Sequence, residues 1–137
     1  MQAGFELLEH QADVGVRAWG QTLGEAYEQA AWAVVGLLGA RGEGPGTIRT
    51  VRASGEDEAD VLVDFLNELL LAHETEDRSF AAIRVSSVDR TTLVAEIELV
   101  PRDEASEGVP VKAATYHRVR VERRSDGWVE VQVYLDV

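Results

Sequence analysis

The spacing of the apolar residues changes along the chain, and this change limits the folds that the sequence can adopt. Apolar residues recur at helical intervals in two stretches, one after Thr22 and one after Asp57. From Ala82 onward they alternate with polar residues, as in strands that bury one face. The pattern predicts an α+β fold, with two helices packed on a mainly antiparallel β-sheet. A strand-helix-strand unit can be read twice, once around each helix.

Short local signals predict where the elements begin and end. Strands are expected over 5–8, 14–19 and 48–53, because these stretches are apolar or rich in β-branched and aromatic residues. Thr22 and Glu25 form a capping box that starts the first helix, and Gly39 supplies its end. The second half of the chain is predicted to be an antiparallel meander. Residues 101–110, which contain prolines, a glycine and acidic residues, are predicted to be an exposed loop.

The composition restricts the class of protein. A chain of 137 residues with 45% hydrophobic residues predicts one domain, over residues 1–137. The absence of cysteine excludes thiolate chemistry and predicts a cytoplasmic protein. No apolar run approaches the length of a membrane span, so neither an anchor nor a membrane partner is expected. The net charge of −12 disfavours direct binding to nucleic acid and favours a basic protein partner.

The carboxylates near the two ends of the chain are candidate cation ligands. If Val133 and Leu135 face the core, strand alternation places Tyr134 and Asp136 on the opposite face. The terminal carboxylate of Val137 then lies one residue from Asp136, and such oxygen ligands suit Ca²⁺ or Mg²⁺. The plain alternative is a frayed acidic terminus.

Asp13 is a second acidic candidate, in a break between two predicted strands beside the small residues Ala12 and Gly15. The alternative is an ordinary turn aspartate that accepts hydrogen bonds from its own backbone. His10 and His117 are candidate general bases or ligands. The spacing of the sequence does not pair either histidine with a nucleophilic residue. The sequence also contains no P-loop or dinucleotide-binding glycine motif.

Arginines 118, 120, 123 and 124 form the main basic cluster. They predict either a nucleic-acid contact or a solvated strand face paired with Glu122 or Glu130. The first two are expected to share one strand face.

Taken together, several stretches resemble the archease family in order, spacing and chain length. They are 9–16 (EHQADVGV), 18–20 (AWG), 62–70 (LVDFLNELL), 111–117 (VKAATYH) and 135–137 (LDV). Each stretch is modest evidence alone, but the five together cover nearly the whole chain. Residues 101–110 depart from the family pattern by being shorter and more acidic, and Gln11 stands where threonine is frequent.

The resemblance implies a non-catalytic accessory protein that activates a GTP-dependent RNA-splicing ligase of the RtcB type. Such a protein promotes guanylylation and multiple turnover of the ligase in tRNA splicing or RNA repair. The resemblance also implies a divalent cation, usually assigned to calcium, held by Asp13, Asp136 and Val137. His10, Lys112 and His117 are further candidate functional residues, and Lys112 is the only lysine of the chain.

Two other interpretations remain open at this stage. The first is a metal-dependent hydrolase or transferase that uses the same carboxylates, with His10 or His117 as the base. The second is a chaperone-like module for RNA-modifying enzymes, for which salt-dependent RNA binding by the isolated chain is the discriminating observation.

Overall fold

The computed structural model describes residues 1–9, 13–103 and 107–137. In chain order the elements are β1 (Gly4–Glu9), β2 (Asp13–Gly20), α1 (Leu23–Leu38), β3 (Thr47–Ser54), α2 (Glu58–Glu76), β4 (Arg78–Val88), β5 (Thr92–Pro101), β6 (Ala113–Arg123) and β7 (Val129–Asp136).

The strands form two sheets. The four-stranded sheet has the order β1-β2-β7-β6, the three-stranded sheet has the order β3-β5-β4, and all neighbouring strands are antiparallel. The predicted α+β class, with two helices on antiparallel sheet, is confirmed. The predicted single meander is wrong, because the β4–β5 hairpin and the β6–β7 hairpin lie in different sheets. Alternation within a strand reports which face is buried, but not which sheet the strand joins.

The two strand-helix-strand units are not equivalent in the sheets. Strands β2 and β3, which flank α1, lie in different sheets. Strands β3 and β4, which flank α2, lie in the same sheet and are separated by β5.

The helix ends follow the local signals. Thr22 is the N-cap of α1, and its hydroxyl accepts a hydrogen bond from the Glu25 amide at 3.1 Å. The Glu25 carboxylate accepts from the Gln21 amide at 3.0 Å rather than from the Thr22 amide. Gly39 ends α1 in the left-handed region, with φ of 63°, and Asp57 is the N-cap of α2.

Each helix contacts both sheets. Helix α1 packs against β2 and β4, and α2 packs against β6 and β3. The apolar stripe of α2 is fully buried at Leu62, Phe65 and Leu66, as its spacing predicted. Within the described ranges, no helix is long and apolar enough to cross a membrane.

Candidate cation site

Asp13 and Asp136 meet across two neighbouring strands. The register of β2 with β7 places Asp13 directly opposite Asp136. Val16 and Leu135, which have the opposite parity on these strands, are completely buried, so both aspartates lie on the face away from the core. Asp136 is exposed, as predicted, and Asp13 is partly buried.

This pairing is electrostatically unfavourable unless a cation is near. Like charges that lie directly opposite each other on one sheet face destabilise the pairing. The ion pairs found in the described ranges include neither Asp13 nor Asp136. Hard carboxylate oxygens of this kind fit Ca²⁺ or Mg²⁺. The described ranges contain no group of three or more His, Cys, Asp or Glu side chains that could hold a metal. A site here therefore needs a further ligand beside the two aspartates, and Val137 follows Asp136 directly.

The backbone of Lys112 is hydrogen-bonded to β7, the strand that carries Asp136. Its amide donates to the Asp136 carbonyl at 2.8 Å, and the next residue, Ala113, pairs with Asp136. The Lys112 side chain is exposed and lines a cleft of about 440 Å³ near the C-terminal ends of both helices. Leu38 of α1 and His73 of α2 line the same cleft. The fold thus places Lys112 between the aspartate pair and this cleft.

Tyr134 covers the sheet next to the two aspartates. It lies opposite Gly15, two residues from Asp136 on the same face. A Cβ atom at Gly15 would lie 2.8 Å from the Tyr134 ring and 2.8 Å from Leu8 Cβ, so only glycine leaves room for the ring. Tyr134 therefore has the predicted orientation but is only 8% exposed. The sequence signal for this arrangement was Gly15 within a strand.

His117 stands against this covered tyrosine. Its ring centroid is 6.0 Å from that of Tyr134, with an edge-on angle of 61°. The His117 side chain is exposed. His117 therefore contacts a tyrosine that lies two residues from Asp136 on the same strand face.

Strand β6 is irregular at this point. Thr115 pairs with Tyr134, but the next paired residue, Arg120, lies opposite Gln132. Arg118 has φ of 54°, a left-handed conformation that is uncommon for arginine. The prediction that Arg118 and Arg120 share a face is not supported, because the irregularity interrupts the alternation between them.

Three of the four clustered arginines are ion-paired, which agrees with the solvated-face interpretation. The pairs are Arg120 with Glu122 at 3.2 Å, Arg123 with Glu58, and Arg124 with Asp126 at 3.2 Å and Glu130 at 3.8 Å. Paired guanidinium groups are less available to phosphates.

His10 lies outside the described residues, as do the other residues of 10–12 and those of 104–106. Its candidate role therefore stays a prediction. The ligand roles of Asp13, Asp136 and Val137, and the functional roles of Lys112 and His117, are likewise predictions. The fold places Asp13, Asp136 and Lys112 at one end of the four-stranded sheet, and His117 lies further along β6.

Comparisons with known proteins identify the class. The chain matches the Archease protein family over residues 5–137. It is 34% identical over 140 residues to the archease of Methanosarcina acetivorans, covering 97% of this chain and 95% of that protein. It is 35% identical over 130 residues to the archease of Thermococcus gammatolerans, covering 90% of this chain and 91% of that protein.

Solved structures show the same fold. The solution structure of Methanobacterium thermoautotrophicum protein 1598 superposes with a TM-score of 0.78 at 30% identity, covering 98% of this chain and 99% of that one. An archease from Thermotoga maritima, described as a possible chaperone, superposes with a TM-score of 0.66 at 19% identity, covering 95% of this chain and 94% of that one. The chain belongs to the Archease family.

Proposed function

We propose that this protein is a non-catalytic activator of a GTP-dependent RNA-splicing ligase of the RtcB type, acting in the cytoplasm. The observation that carries the proposal is the pair of opposed carboxylates of Asp13 and Asp136 in a chain of the Archease family. In this proposal the chain promotes guanylylation and repeated turnover of the ligase in tRNA splicing or RNA repair.

Asp13, Asp136 and the carboxylate of Val137 hold a divalent cation in this proposal, calcium being the expected ion. The bound cation supplies a positive charge that offsets the repulsion between the two aspartates. Lys112 and His117 flank the aspartates and are proposed to contact the ligase, because both side chains are exposed. The single ammonium group of Lys112 suits contact with a carboxylate or a phosphate.

The charge of the chain supports a protein partner rather than RNA. A net charge of −12 opposes association with a polyphosphate and favours a basic protein surface. Direct RNA binding is therefore not part of the proposal.

The decisive experiment is multiple-turnover ligation by the ligase from the same source, with and without this chain. We expect the chain to raise turnover, and Asp136→Asn to abolish most of that increase. Glu43→Gln is the matched control, because it also removes a carboxylate but lies in the connection between α1 and β3. Turnover that is the same with and without the chain would overturn the proposal.

A hydrolase or transferase is the second candidate, favoured by the position of His117 beside the face that carries the aspartates. It predicts that the isolated chain hydrolyses GTP or phosphate esters with Mg²⁺ or Mn²⁺, and that His117→Ala abolishes this activity. The activator proposal predicts no such turnover. The chaperone-like alternative, which agrees with the description of the Thermotoga maritima relative, predicts that the chain prevents aggregation of the ligase without changing turnover per folded ligase.

A further inference from the structure

The outer edge of β3 carries backbone donors directed away from its sheet. Strand β3 is one of the two edge strands of the three-stranded sheet and pairs with β5. The Gly55 amide donates toward β5, to the Thr91 carbonyl at 3.0 Å. The preceding amide, that of Ser54, donates away from β5, to the Asp64 carboxylate of α2 at 2.9 Å. Because peptide groups alternate along a strand, the amides of residues 48, 50 and 52 point away from β5 like that of Ser54.

Helix α2 runs beside this edge in the opposite direction. Asp64 holds Ser54 at one end, and Glu76 forms an ion pair of 3.1 Å with Arg49 at the other. The helix rises about 18 Å from Asp64 to Glu76. The strand covers about 17 Å from Ser54 back to Arg49. The helix and the strand edge therefore run side by side over the same length.

A groove of about 260 Å³ lies between them. Its apolar lining includes Val51 and Ile97 of the sheet and Ala72 and Leu71 of the helix. Leu71 is 55% exposed, and Ile48 on the neighbouring strand is 56% exposed. Across the described ranges, the hydrogen bonds outside regular strand and helix pairing include none donated by the amides of residues 48, 50 and 52.

The other strand edge beside α2 is already occupied. This edge belongs to β6, where Asn67 makes two hydrogen bonds to Ala114. On β3, Asp64 accepts a hydrogen bond from Ser54, beyond the amides of residues 48, 50 and 52. Glu68, which follows Asn67, is half-buried, lines the groove and takes part in none of the ion pairs of the described ranges. The groove is also lined by Arg52 and by Arg49, whose charge is paired with Glu76. A half-buried carboxylate next to an apolar surface favours a cationic partner, so a basic side chain of a bound segment is expected at Glu68 and not beside Arg52.

We propose that an extended, lysine- or arginine-containing segment of a protein partner adds to β3 as a further strand. Its main chain pairs with the outward peptide groups of residues 48, 50 and 52, as in other proteins that bind peptides by strand addition. An apolar side chain of the segment packs on Leu71, and a basic side chain pairs with Glu68. The proposal rests on the proposed function in one respect: the segment belongs to the ligase that this chain activates.

Charge selects this occupant over a second copy of the chain. Two copies, each with a net charge of −12, repel each other. A basic segment is attracted by the same charge and supplies the cation that Glu68 favours.

Thr50→Pro is the most direct test. Proline removes the outward amide of residue 50 without removing a bond of the β3–β5 ladder, and edge strands accept proline at such positions. Thr50→Val is the matched control, because it loses the hydroxyl but keeps the amide. We expect calorimetry with the ligase to show binding weakened about tenfold or more in Thr50→Pro and unchanged in Thr50→Val, with both variants melting as cooperatively as wild type. We also expect amides 48, 50 and 52 to exchange with deuterium more slowly in the complex.

Leu71→Asp gives an independent result if Thr50→Pro does not fold. It lies at an exposed helix position, leaves β3 unchanged and is expected to weaken binding by a similar factor. Wild-type binding by both folded variants, or unchanged exchange of the three amides in the complex, overturns the groove proposal while the activator proposal stands. A wild-type chain that does not bind the ligase overturns both. Self-association lost in Thr50→Pro assigns the edge to a second copy and also overturns the groove proposal.

Discussion

Asn67 on α2 brackets the backbone of Ala114 on β6 with both ends of its side-chain amide. Asn67 Nδ2 donates to the Ala114 carbonyl at 3.2 Å, and the Ala114 amide donates to Asn67 Oδ1 at 2.8 Å. Strand β6 is an edge of the four-stranded sheet, so this amide takes the place of a neighbouring strand. Ala113, the preceding residue, pairs with Asp136, so the bracket also fixes the strand that borders the proposed cation site.

Replacing Asn67 with alanine should destabilise the fold by about 1–3 kcal/mol. The substitution removes both partners of the Ala114 peptide groups, and Ala114 is only 5% exposed. Asn67→Asp keeps an acceptor for the Ala114 amide but sets a carboxylate oxygen against the Ala114 carbonyl, so it should also destabilise the fold. Urea denaturation measures the two differences in free energy of unfolding. Equal stability of wild type and Asn67→Ala would show that water replaces the two hydrogen bonds of Asn67 at no cost in free energy.

The ion pair between Glu58 and Arg123 should make the free energy of unfolding depend on pH. Two hydrogen bonds from the Arg123 guanidinium, one of 2.6 Å, hold the pKa of the Glu58 carboxyl below its usual value of 4.5. The pair therefore contributes stability above pH 4.5, and that contribution is lost as the pH falls through the lower folded-state pKa. At neutral pH it should be about 0.5–1 kcal/mol, because Arg123 is largely exposed.

Urea denaturation of wild type and Glu58→Gln from pH 7 to pH 3 tests this dependence. The stability difference should be largest near neutral pH and should shrink toward pH 3. Glu43→Gln, which removes a carboxylate in the connection between α1 and β3, serves as the control. A difference for Glu58→Gln that stays constant across the range would contradict the assigned role.

Glu28 should behave in the opposite sense. Its carboxylate accepts a hydrogen bond of 2.7 Å from the Val85 amide, next to the irregularity in β4. Burial raises the pKa of Glu28 above its usual value, so its contribution to stability falls as the pH rises through that range. Glu28→Gln keeps an acceptor for Val85 and carries no charge, so it should be as stable as wild type or more stable at pH 7.

Glu28→Ala is the informative comparison for that prediction. It leaves the Val85 amide without its acceptor and should cost about 1–3 kcal/mol. Thermal unfolding of the two variants at pH 5 and pH 7 separates the lost hydrogen bond from the lost charge. If Glu28→Gln is destabilised as much as Glu28→Ala, the carboxylate itself is required and the assigned cause is wrong.

Local signals predicted most elements, because helix caps and strand alternation depend on neighbouring residues. Helix α1 begins after Thr22 and ends at Gly39, and α2 begins after Asp57, as expected. Alternation also placed Asp136 on the outer face. The division of the strands between two sheets was not predicted, because it depends on contacts between distant residues. The left-handed Arg118 gave no signal either, since the residues that favour that conformation are glycine and asparagine.

In the candidate site, too, local features were predicted from the sequence and contacts between distant residues were not. Its acidic residues were found from the family resemblance and from alternation, but the register that places Asp13 opposite Asp136 joins the two ends of the chain. Asn67 was missed as a strand-capping residue, because its sequence position shows a polar residue on a helix and not the strand edge that it meets.

The opposed aspartates predict that a cation and a charge-removing substitution stabilise the chain by the same means. In chelator, Asp13→Asn and Asp136→Asn should each raise the free energy of unfolding by up to about 1 kcal/mol, because each removes a like-charge pair on one sheet face. With Ca²⁺ at about 100 times its dissociation constant, wild type should gain about 2.7 kcal/mol, whereas the two variants should gain far less.

Thermal unfolding with chelator, Ca²⁺ or Mg²⁺ distinguishes these states. Glu43→Gln should follow wild type in every condition, since it changes the net charge without altering the aspartate pair. A Gly-Ser extension after Val137 converts its carboxylate to an amide and should reduce the gain from Ca²⁺ without lowering the melting temperature in chelator. If neither ion shifts the wild-type melt, or if Asp136→Asn responds as strongly as wild type, Asp13 and Asp136 do not form a cation site and the activator must work without one.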